Sequence, residues 1–348
     1  MRRTRGSIAP RPGALQLGAL AIALAAGCDR RHAHDEAAAP PATSSAAPAP
    51  APASAPAAAA PPVAPGCTLA PLPLRLPTPK RLVAIGDLHG DLGGARAALR
   101  AAGAIDDRDH WIGGDLVVVQ TGDILDRGDD ERALLDLVST LEAEARAAGG
   151  NVVALLGNHE LMNGAGDFRY VTPAGLHAFD GAAPAGTGSA SAPPEARARL
   201  AALGPGGSYA HRLAGHAVIA IVGDTVFSHA GVLGDWAHRV DEVNRTARCW
   251  LDGQDPQPPV ALTSDDGPAW TRALGGPQVD CAQVTAALAA LGARRMVVGH
   301  TVQGHGITSA CDGALWRIDV GLARLYGGPI EVLELAPDAP PKVLHGAR

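Results

Sequence analysis

From Arg81 onward the chain alternates short aliphatic runs with longer stretches in which alanine and leucine recur at helical spacing. Leu82 to Ile85, Leu116 to Gln120 and Asn151 to Leu156 are short, apolar and followed by polar, glycine-containing segments, the pattern of buried strands. Between them Gly93 to Ala102 and Glu131 to Ala148 read as helices, so the segment predicts β-α-β-α-β. Such a run implies parallel strands joined by right-handed crossovers, with ligands gathered at the carboxyl ends of the strands. Farther on, Ala217 to Val222, Thr225 to Ser228, Arg295 to Val298, Leu315 to Asp319 and Ile330 to Leu335 read as strands, without long helices between several neighbours. They predict a second, mixed sheet packed on the first.

The pattern before Arg81 is of another kind. Residues 1–28 carry four arginines (Arg2, Arg3, Arg5, Arg11) and no acid, then an apolar run from Ala14 to Ala26. That run has the length of a signal-peptide core and is too short to span a bilayer. It ends in Ala25-Ala26-Gly27-Cys28, which resembles a bacterial lipobox with Cys28 as the lipidated residue, although Ala25 stands where leucine is usual. A cleaved secretory signal and an uncleaved amphipathic segment are the other readings. From Ala37 to Gly66, 24 of 30 residues are Ala or Pro and none is charged, too little bulky apolar surface to offset the entropy of ordering. As polyproline II, at about 3.1 Å per residue, this tether could hold a domain up to about 90 Å from an anchor. The expected organisation is a leader over 1–28, a linker over 29–66 and one large domain over 67–348. The protein is expected to be exported and to face the periplasm or the cell exterior, touching membrane only through Cys28.

Composition narrows the function classes. The chain of 348 residues has 29 Lys plus Arg against 35 Asp plus Glu, a net charge of −6, and losing the arginine-bearing leader would make it more acidic still. An acidic domain repels phosphate backbones, which excludes general nucleic-acid binding. Only 3% of residues are aromatic, so the core must rest on Val, Leu, Ile and Ala. No apolar run reaches the roughly 18 residues of a membrane span, which argues against a polytopic membrane protein. With Cys28 set aside, Cys67, Cys249, Cys281 and Cys311 remain; an exported chain permits disulfides, and three pairings are open beside buried free thiols.

The candidate chemistry sits where the strands end. After Ile85 come Gly86-Asp87-Leu88-His89-Gly90-Asp91; after Thr121 come Gly122-Asp123-Ile124-Leu125-Asp126-Arg127-Gly128; after Leu156 come Gly157-Asn158-His159-Glu160. His229 and His300 follow later strands in the same way. Carboxylate oxygen, amide oxygen and neutral imidazole nitrogen are ligands for first-row divalent metals. Asp87, His89, Asp123, Asn158, His229 and His300 are too many for one catalytic ion with open positions, but they suit two ions sharing a carboxylate. Two ions about 3.5 to 4 Å apart can hold a hydroxide and neutralise phosphoryl oxygens during in-line attack. Arg127 offers a planar fork suited to phosphate. His159 could protonate a leaving oxygen, with Asp126 holding its other ring nitrogen.

GDLHGD, GDILDRG, GNHE, SHAG and GHT, in this order, resemble the calcineurin-like metallophosphoesterase superfamily in its phosphoprotein phosphatase branch. GNHELMN followed by GDFRYV, together with GDTVF and VGHTVQ, is most similar to the Shewanella-like protein phosphatases. The resemblance implies an α/β fold, a sandwich of two mixed β-sheets flanked by helices. It implies that Asp87 and His89 bind a first metal, that Asp123 bridges, and that Asn158, His229 and His300 bind a second, the ions being Mn, Fe or Zn. It also implies an acid pair of His159 and Asp126, a phosphate clamp at Arg127 and a second clamp at Arg272. Val302 stands where many metallophosphoesterases carry a further histidine, and His305 is not expected to replace it. Ala230 stands where this branch often has glycine.

The expected activity is metal-dependent hydrolysis of a phosphomonoester, on a phosphorylated protein (Ser/Thr or Tyr) or a small phosphoester. One alternative is a dinucleoside polyphosphate hydrolase, which would need a base-stacking shelf from Phe168, Tyr170 or Trp270. A more remote one is a lipid-anchored module that uses metals only to fold. Glycine-, alanine- and proline-rich stretches, Ala182 to Ala192 and Gly204 to Ser208, bracket a helix expected over Glu195 to Leu203, and this insert is expected to form a lid or wall of the substrate cleft.

Overall fold

The computed structural model describes residues 66–73, 75–182 and 192–348. The leader and all but the last residue of the linker lie outside the described residues. Eleven strands and eight α-helices follow in chain order: β1 (Arg75–Leu76), β2 (Leu82–Ile85), α1 (Leu92–Ala101), β3 (Val117–Gln120), α2 (Glu131–Ala147), β4 (Asn151–Ala154) and α3 (Asn158–Gly164). Next come α4 (Arg197–Leu203), α5 (Ser208–Leu213), β5 (Ile219–Val222), β6 (Thr225–Ser228), α6 (Val240–Leu251), α7 (Val260–Thr263) and α8 (Cys281–Leu291). The chain closes with β7 (Arg295–Val298), β8 (Thr308–Ala310), β9 (Leu315–Arg317), β10 (Ile330–Ala336) and β11 (Ala339–Gly346).

One sheet has the order β11-β10-β2-β3-β4 and the other β1-β5-β6-β7-β9-β8. The predicted β-α-β-α-β unit is present: β2, β3 and β4 are parallel, with Leu82 opposite Val117 and Val117 opposite Asn151. Strands covered on both faces need apolar residues at every position, which is why β2 and β5 read as unbroken hydrophobic runs. Leu82, Ala84, Val119, Leu333 and Leu335 of the first sheet meet Ala220, Val222, Phe227 and Val297 of the second in a core between the sheets. The alternate residues, such as Val83, Ile85 and Val118, face the helices. Each fully buried Leu or Phe in such a core contributes roughly 1.5 to 3 kcal/mol. Helices α1 and α8 start where an aspartate catches a free N–H group: Asp91 accepts from Gly94 N at 2.8 Å and Asp280 from Ala282 N at 3.0 Å.

The Ile330 to Leu335 run does not join the second sheet. It lies antiparallel to β2, Leu333 opposite Ala84, on the side of the first sheet that β3 leaves unpaired. β11 then pairs with β10 as an outer strand, and its Pro340-Pro341-Lys342 reads as a loop because proline and lysine are edge-strand residues. Three helices, α6, the short α7 and α8, also stand between β6 and β7. In α6 the apolar positions Val243, Ala247, Trp250 and Leu251 keep helical spacing among charged neighbours.

Of the three open pairings, the cysteines form Cys67–Cys249 and Cys281–Cys311. The first ties the segment that enters the domain to α6 across a separation of 182 residues, and the second ties the start of α8 to the turn between β8 and β9. Closing loops of this kind typically stabilises a fold by about 2 to 4 kcal/mol. Among the described residues no helix is long and apolar enough to cross a membrane.

Candidate active site

The loops after β2 and β3 are stitched together by backbone bonds, Leu88 N and His89 N both donating to Asp123 O at 3.0 and 2.9 Å. Five site residues sit in the left-handed region: His89 (φ 44°), Asp123 (57°), Asp126 (67°), Arg127 (72°) and His300 (66°). For residues other than glycine each such conformation costs on the order of 1 to 3 kcal/mol, so the surroundings must hold it. Glu160 does much of this. Its buried carboxylate accepts from Asp123 N (2.8 Å), Ile124 N (2.9 Å), Leu125 N (3.0 Å) and Gly157 N (2.7 Å). Burial, then the nearby Asp123, pushes the Glu160 carboxyl up, and the donated bonds oppose that shift.

All six residues singled out as metal ligands converge. Asp123 Oδ2 lies 3.7 Å from His89 Nε2 and 3.2 Å from His229 Nε2. His229 Nε2 in turn lies 3.0 Å from Asn158 Oδ1 and 3.1 Å from His300 Nδ1. Asp87 completes the group, with Oδ2 4.0 Å from His89 Nε2 and accepting from His300 N at 3.1 Å. Two donor clusters share one carboxylate: His89, Asp123 and His159, and Asp123, His229 and His300, with ligand atoms within 4.8 Å of one another in each.

The ring tautomers decide what such a group can hold. His89 Nδ1 faces Leu125 O at 3.1 Å, His229 Nδ1 faces Thr121 O at 2.9 Å and His300 Nε2 faces Trp270 O at 3.1 Å. A carbonyl oxygen only accepts, so each of these nitrogens carries a proton, and in a neutral ring the other nitrogen turns a lone pair inward. With the His229 ring neutral, His229 Nε2, His300 Nδ1, Asn158 Oδ1 and Asp123 Oδ2 face one another as acceptors, an arrangement that fits a metal cation. Against the downward push of burial, Asp123 raises His229, so without metal a proton at Nε2 meets the same groups. Burial lowers His89 to about 4, and burial with His229 beside it lowers His300 to about 3, so both stay neutral ligands at physiological pH. Against the upward push of burial, His229 and His159 hold Asp123 well below the ordinary carboxylate range.

Asp319, two residues past the end of β9, belongs to the same group and was not singled out from sequence, although it follows a strand as Asp87 and Asp123 do. Burial pushes its carboxyl up to about 6, and burial followed by the charge of Asp319 pushes Asp87 up in turn. Four buried carboxylates (Asp87, Asp123, Glu160 and Asp319) thus crowd a site in which His89 and His300 are held neutral. Divalent cations would neutralise that excess charge.

Glycine is required where the backbone nearly touches these ligands. A Cβ on Gly299 would lie 2.3 Å from Asp87 Oδ1 and 2.8 Å from Thr121 Oγ1, and one on Gly157 would lie 2.2 Å from Asp123 Oδ1. Gly299→Ala should therefore rotate Asp87 out of place and weaken metal binding about 10- to 100-fold, the usual effect of disturbing the support of a ligand. Metal titration of the folded variant, with circular dichroism to confirm the fold, is the check; unchanged affinity would contradict the assignment of Asp87.

The groups set apart from the ligands are also in reach. His159 Nδ1 lies 2.6 Å from Asp126 Oδ2, and His159 Nε2 lies 3.7 Å from Asp123 Oδ2. The Arg127 guanidinium stacks 4.0 Å from the Tyr170 ring centroid, and its buried Nε has no hydrogen-bond partner among the described residues. Arg272 Nη1 reaches His300 O at 3.4 Å and Thr301 Oγ1 at 3.3 Å, which puts the second arginine at the other side of the ligand group. His305 is exposed and takes no part in either donor cluster. Tyr170 and Tyr326, each partly exposed, stand beside His159 and His89 with ring centroids at 5.1 and 5.5 Å. Tyr326 carries no motif that would have revealed it. A cavity of about 630 Å³ opens next to His89 and Arg127, lined also by Thr172, Arg324 and Leu325. A larger one, about 940 Å³, lies between the segment around Leu72 and α6 and touches none of the site residues.

The described part of the insert is not a flap over the cleft. It forms a short 3₁₀ turn, Pro194–Ala196, and then α4, and packs inward so that Arg199 is fully buried.

Comparison with known proteins agrees with this geometry. The calcineurin-like phosphoesterase family profile matches residues 80–304. Shewanella-like protein phosphatase 2 of Arabidopsis thaliana is 38% identical over 305 residues, covering 77% of this chain and 78% of the relative. Shewanella-like protein phosphatase 1 of Plasmodium berghei is 28% identical over 265 residues, covering 72% and 69%. The solved cold-active protein-tyrosine phosphatase of a psychrophilic Shewanella species superposes with a TM-score of 0.61 at 25% identity, covering 79% of this chain and 83% of that one. From the two mixed sheets, the converging ligands and these likenesses together, the chain belongs to the calcineurin-like phosphoesterase family, with the Shewanella-like protein phosphatases as relatives, and is a hydrolase of phosphoric ester bonds.

Proposed function

We propose that the domain binds two divalent cations, Mn, Fe or Zn, and removes phosphate from phosphorylated proteins, with phosphotyrosine favoured over phosphoserine. Asp87, His89 and Asp123 would hold one ion, and Asp123, Asn158, His229 and His300 the other. The observation that carries this reading is the set of ligand atoms that converge around Asp123, which a pair of metal cations would satisfy together. When bound, the ions supply Lewis acidity that activates water and neutralises the phosphoryl oxygens.

The chain's own groups account for the remaining steps. Arg127, fixed against Tyr170 and without a hydrogen-bond partner at Nε, would receive phosphate oxygens through its planar fork, and Arg272 would approach from the His300 side. His159 would give the leaving oxygen a proton from Nε2 while Asp126 keeps Nδ1 protonated and the ring in place. Tyr170 and Tyr326 would flank an aryl leaving group, and a ring pair of this kind adds on the order of 1 kcal/mol. The solved Shewanella relative is itself described as a tyrosine phosphatase. Phe168 packs toward Arg199, and the Trp270 indole packs against the core with Nε1 donating to Leu262 O at 2.6 Å, so neither adds to Tyr170 as a shelf for a nucleobase.

Assaying the purified protein on matched phosphotyrosyl and phosphoseryl peptides and on a dinucleoside polyphosphate, with Mn, Fe and Zn added in turn, tests the reading. Several-fold faster turnover of the tyrosyl peptide, restored after chelation by at least one of the metals, is expected. Preferential cleavage of the dinucleotide would reject it. The lipobox-like leader and two disulfides support a further part of the proposal, that the protein is exported and anchored through Cys28, since disulfides persist in oxidising compartments.

A further inference from the structure

Arg199 is fully buried, and every one of its five N–H groups is accounted for. Nη1 donates to Glu131 Oε2 at 2.6 Å and to Gly175 O at 2.8 Å; Nη2 donates to Glu131 Oε1 at 2.7 Å and to Asp126 Oδ1 at 3.1 Å; Nε donates to Asn163 Oδ1 at 2.7 Å. The carboxylate it reaches is the one that holds His159. Asn163 Nδ2 donates to the same Asp126 Oδ1 at 2.9 Å, and Glu131 Oε1 accepts from Asp126 N at 2.6 Å. With Oδ1 bound twice and the backbone pinned, the carboxylate cannot rotate, and Oδ2 is left for His159 Nδ1.

We infer that Arg199, from the insert, is a positioning residue for proton transfer to the leaving group. It touches neither substrate nor metal. Arg199 is paired with Glu131 through both Oε atoms, so its contact with Asp126 Oδ1 fixes the carboxylate's orientation and keeps Oδ2 aimed at His159 Nδ1. Only a fork can bind Glu131 in two places and still reach Asp126 and Asn163, which is why lysine would not substitute. The insert therefore completes the acid pair from behind, and its sequence, a short Ala/Leu/Arg helix between glycine-rich segments, gives no local sign of that role.

The inference rests on the proton-donor reading of His159 given above, and the test separates the two. Arg199→Lys keeps a cation for Glu131 and should fold; Arg199→Met with Glu131→Gln removes both charges together and guards against an unpaired buried acid. In metal-replete protein, kcat for a phosphoseryl peptide should fall about tenfold in both variants. That is part of the about 10²- to 10⁴-fold that a positioned proton donor supplies. For p-nitrophenyl phosphate, whose leaving group needs little protonation, kcat should change less than about twofold, with KM and bound metal unchanged for both substrates. Equal losses on the two substrates, no loss on either, or failure of both variants to fold would assign Arg199 to stability alone and overturn the inference. His159→Ala is run beside them. If it too strikes both substrates equally, the donor reading itself has failed; if it is selective and the Arg199 variants are not, only the role of Arg199 is lost.

Discussion

Replacing Asp123 with asparagine should lower kcat/KM on any phosphomonoester by about 10³-fold or more. The side chain keeps its size and one carbonyl oxygen, so the contact in which His159 N donates to Oδ1 at 3.0 Å can survive. What disappears is the charge shared by both donor clusters. Metal-derived stabilisation of the transition state is worth several kcal/mol, and each 1.36 kcal/mol is tenfold in rate, which sets the scale of the loss. The metal-free protein should also lose stability, because against the upward push of burial His229 and His159 hold the Asp123 carboxyl well below the ordinary range, and asparagine forfeits that attraction. Its melting temperature should fall on substitution, and the increase produced by adding Mn to the wild type should vanish. Rates and thermal melts with and without metal are the measurements. A variant within tenfold of the wild-type rate would remove Asp123 from the centre of the site.

The second large effect is selective rather than general. His159→Ala should reduce turnover of phosphoseryl peptides by about 10²- to 10⁴-fold, the contribution of a positioned proton donor. On aryl phosphates the loss should be at least tenfold smaller, since a phenolate or nitrophenolate departs without a proton. The 2.6 Å contact between His159 Nδ1 and Asp126 Oδ2 motivates the assignment, and Asp126→Asn should show the same selectivity to a lesser degree. Comparing kcat across leaving groups of graded basicity provides the measurement. A uniform loss would move His159 from proton donation to metal support, a role its neighbours in the His89, Asp123 and His159 cluster would permit.

The ligand set was legible because each member follows closely on a strand in a short segment that contains a glycine, and the topology then brings strand ends to one rim. Asp87, Asp123, Asn158, His229 and His300 announce themselves by local spacing alone. Asp319 obeys the same rule but stands without a companion motif. Arg199 and Tyr326 were not legible, for a physical reason: their meaning lies in partners far along the chain, 73 residues for Arg199 to Asp126. An arginine on a short helix usually faces water, and nothing nearby in sequence says that this one is enclosed. Strand β10 was recognised but assigned to the wrong sheet, because an aliphatic run carries no record of which neighbour will pair with it. β11 escaped because the prolines that suit an outer edge also suit a loop.

The unusual backbone at His89, Asp123 and His300, held by Glu160 and by bonds between neighbouring loops, has an outcome for how the protein meets its environment. The cradle is shaped by the polypeptide itself, so withdrawing the ions should leave it standing, ready to be filled again without refolding. Loading then becomes an exchange equilibrium with whatever the surroundings supply, and imidazole and carboxylate donors discriminate weakly among Mn, Fe and Zn. Which element resides there would be written by the supply in the compartment where the protein matures, and the same molecule could carry different cargo in different growth conditions.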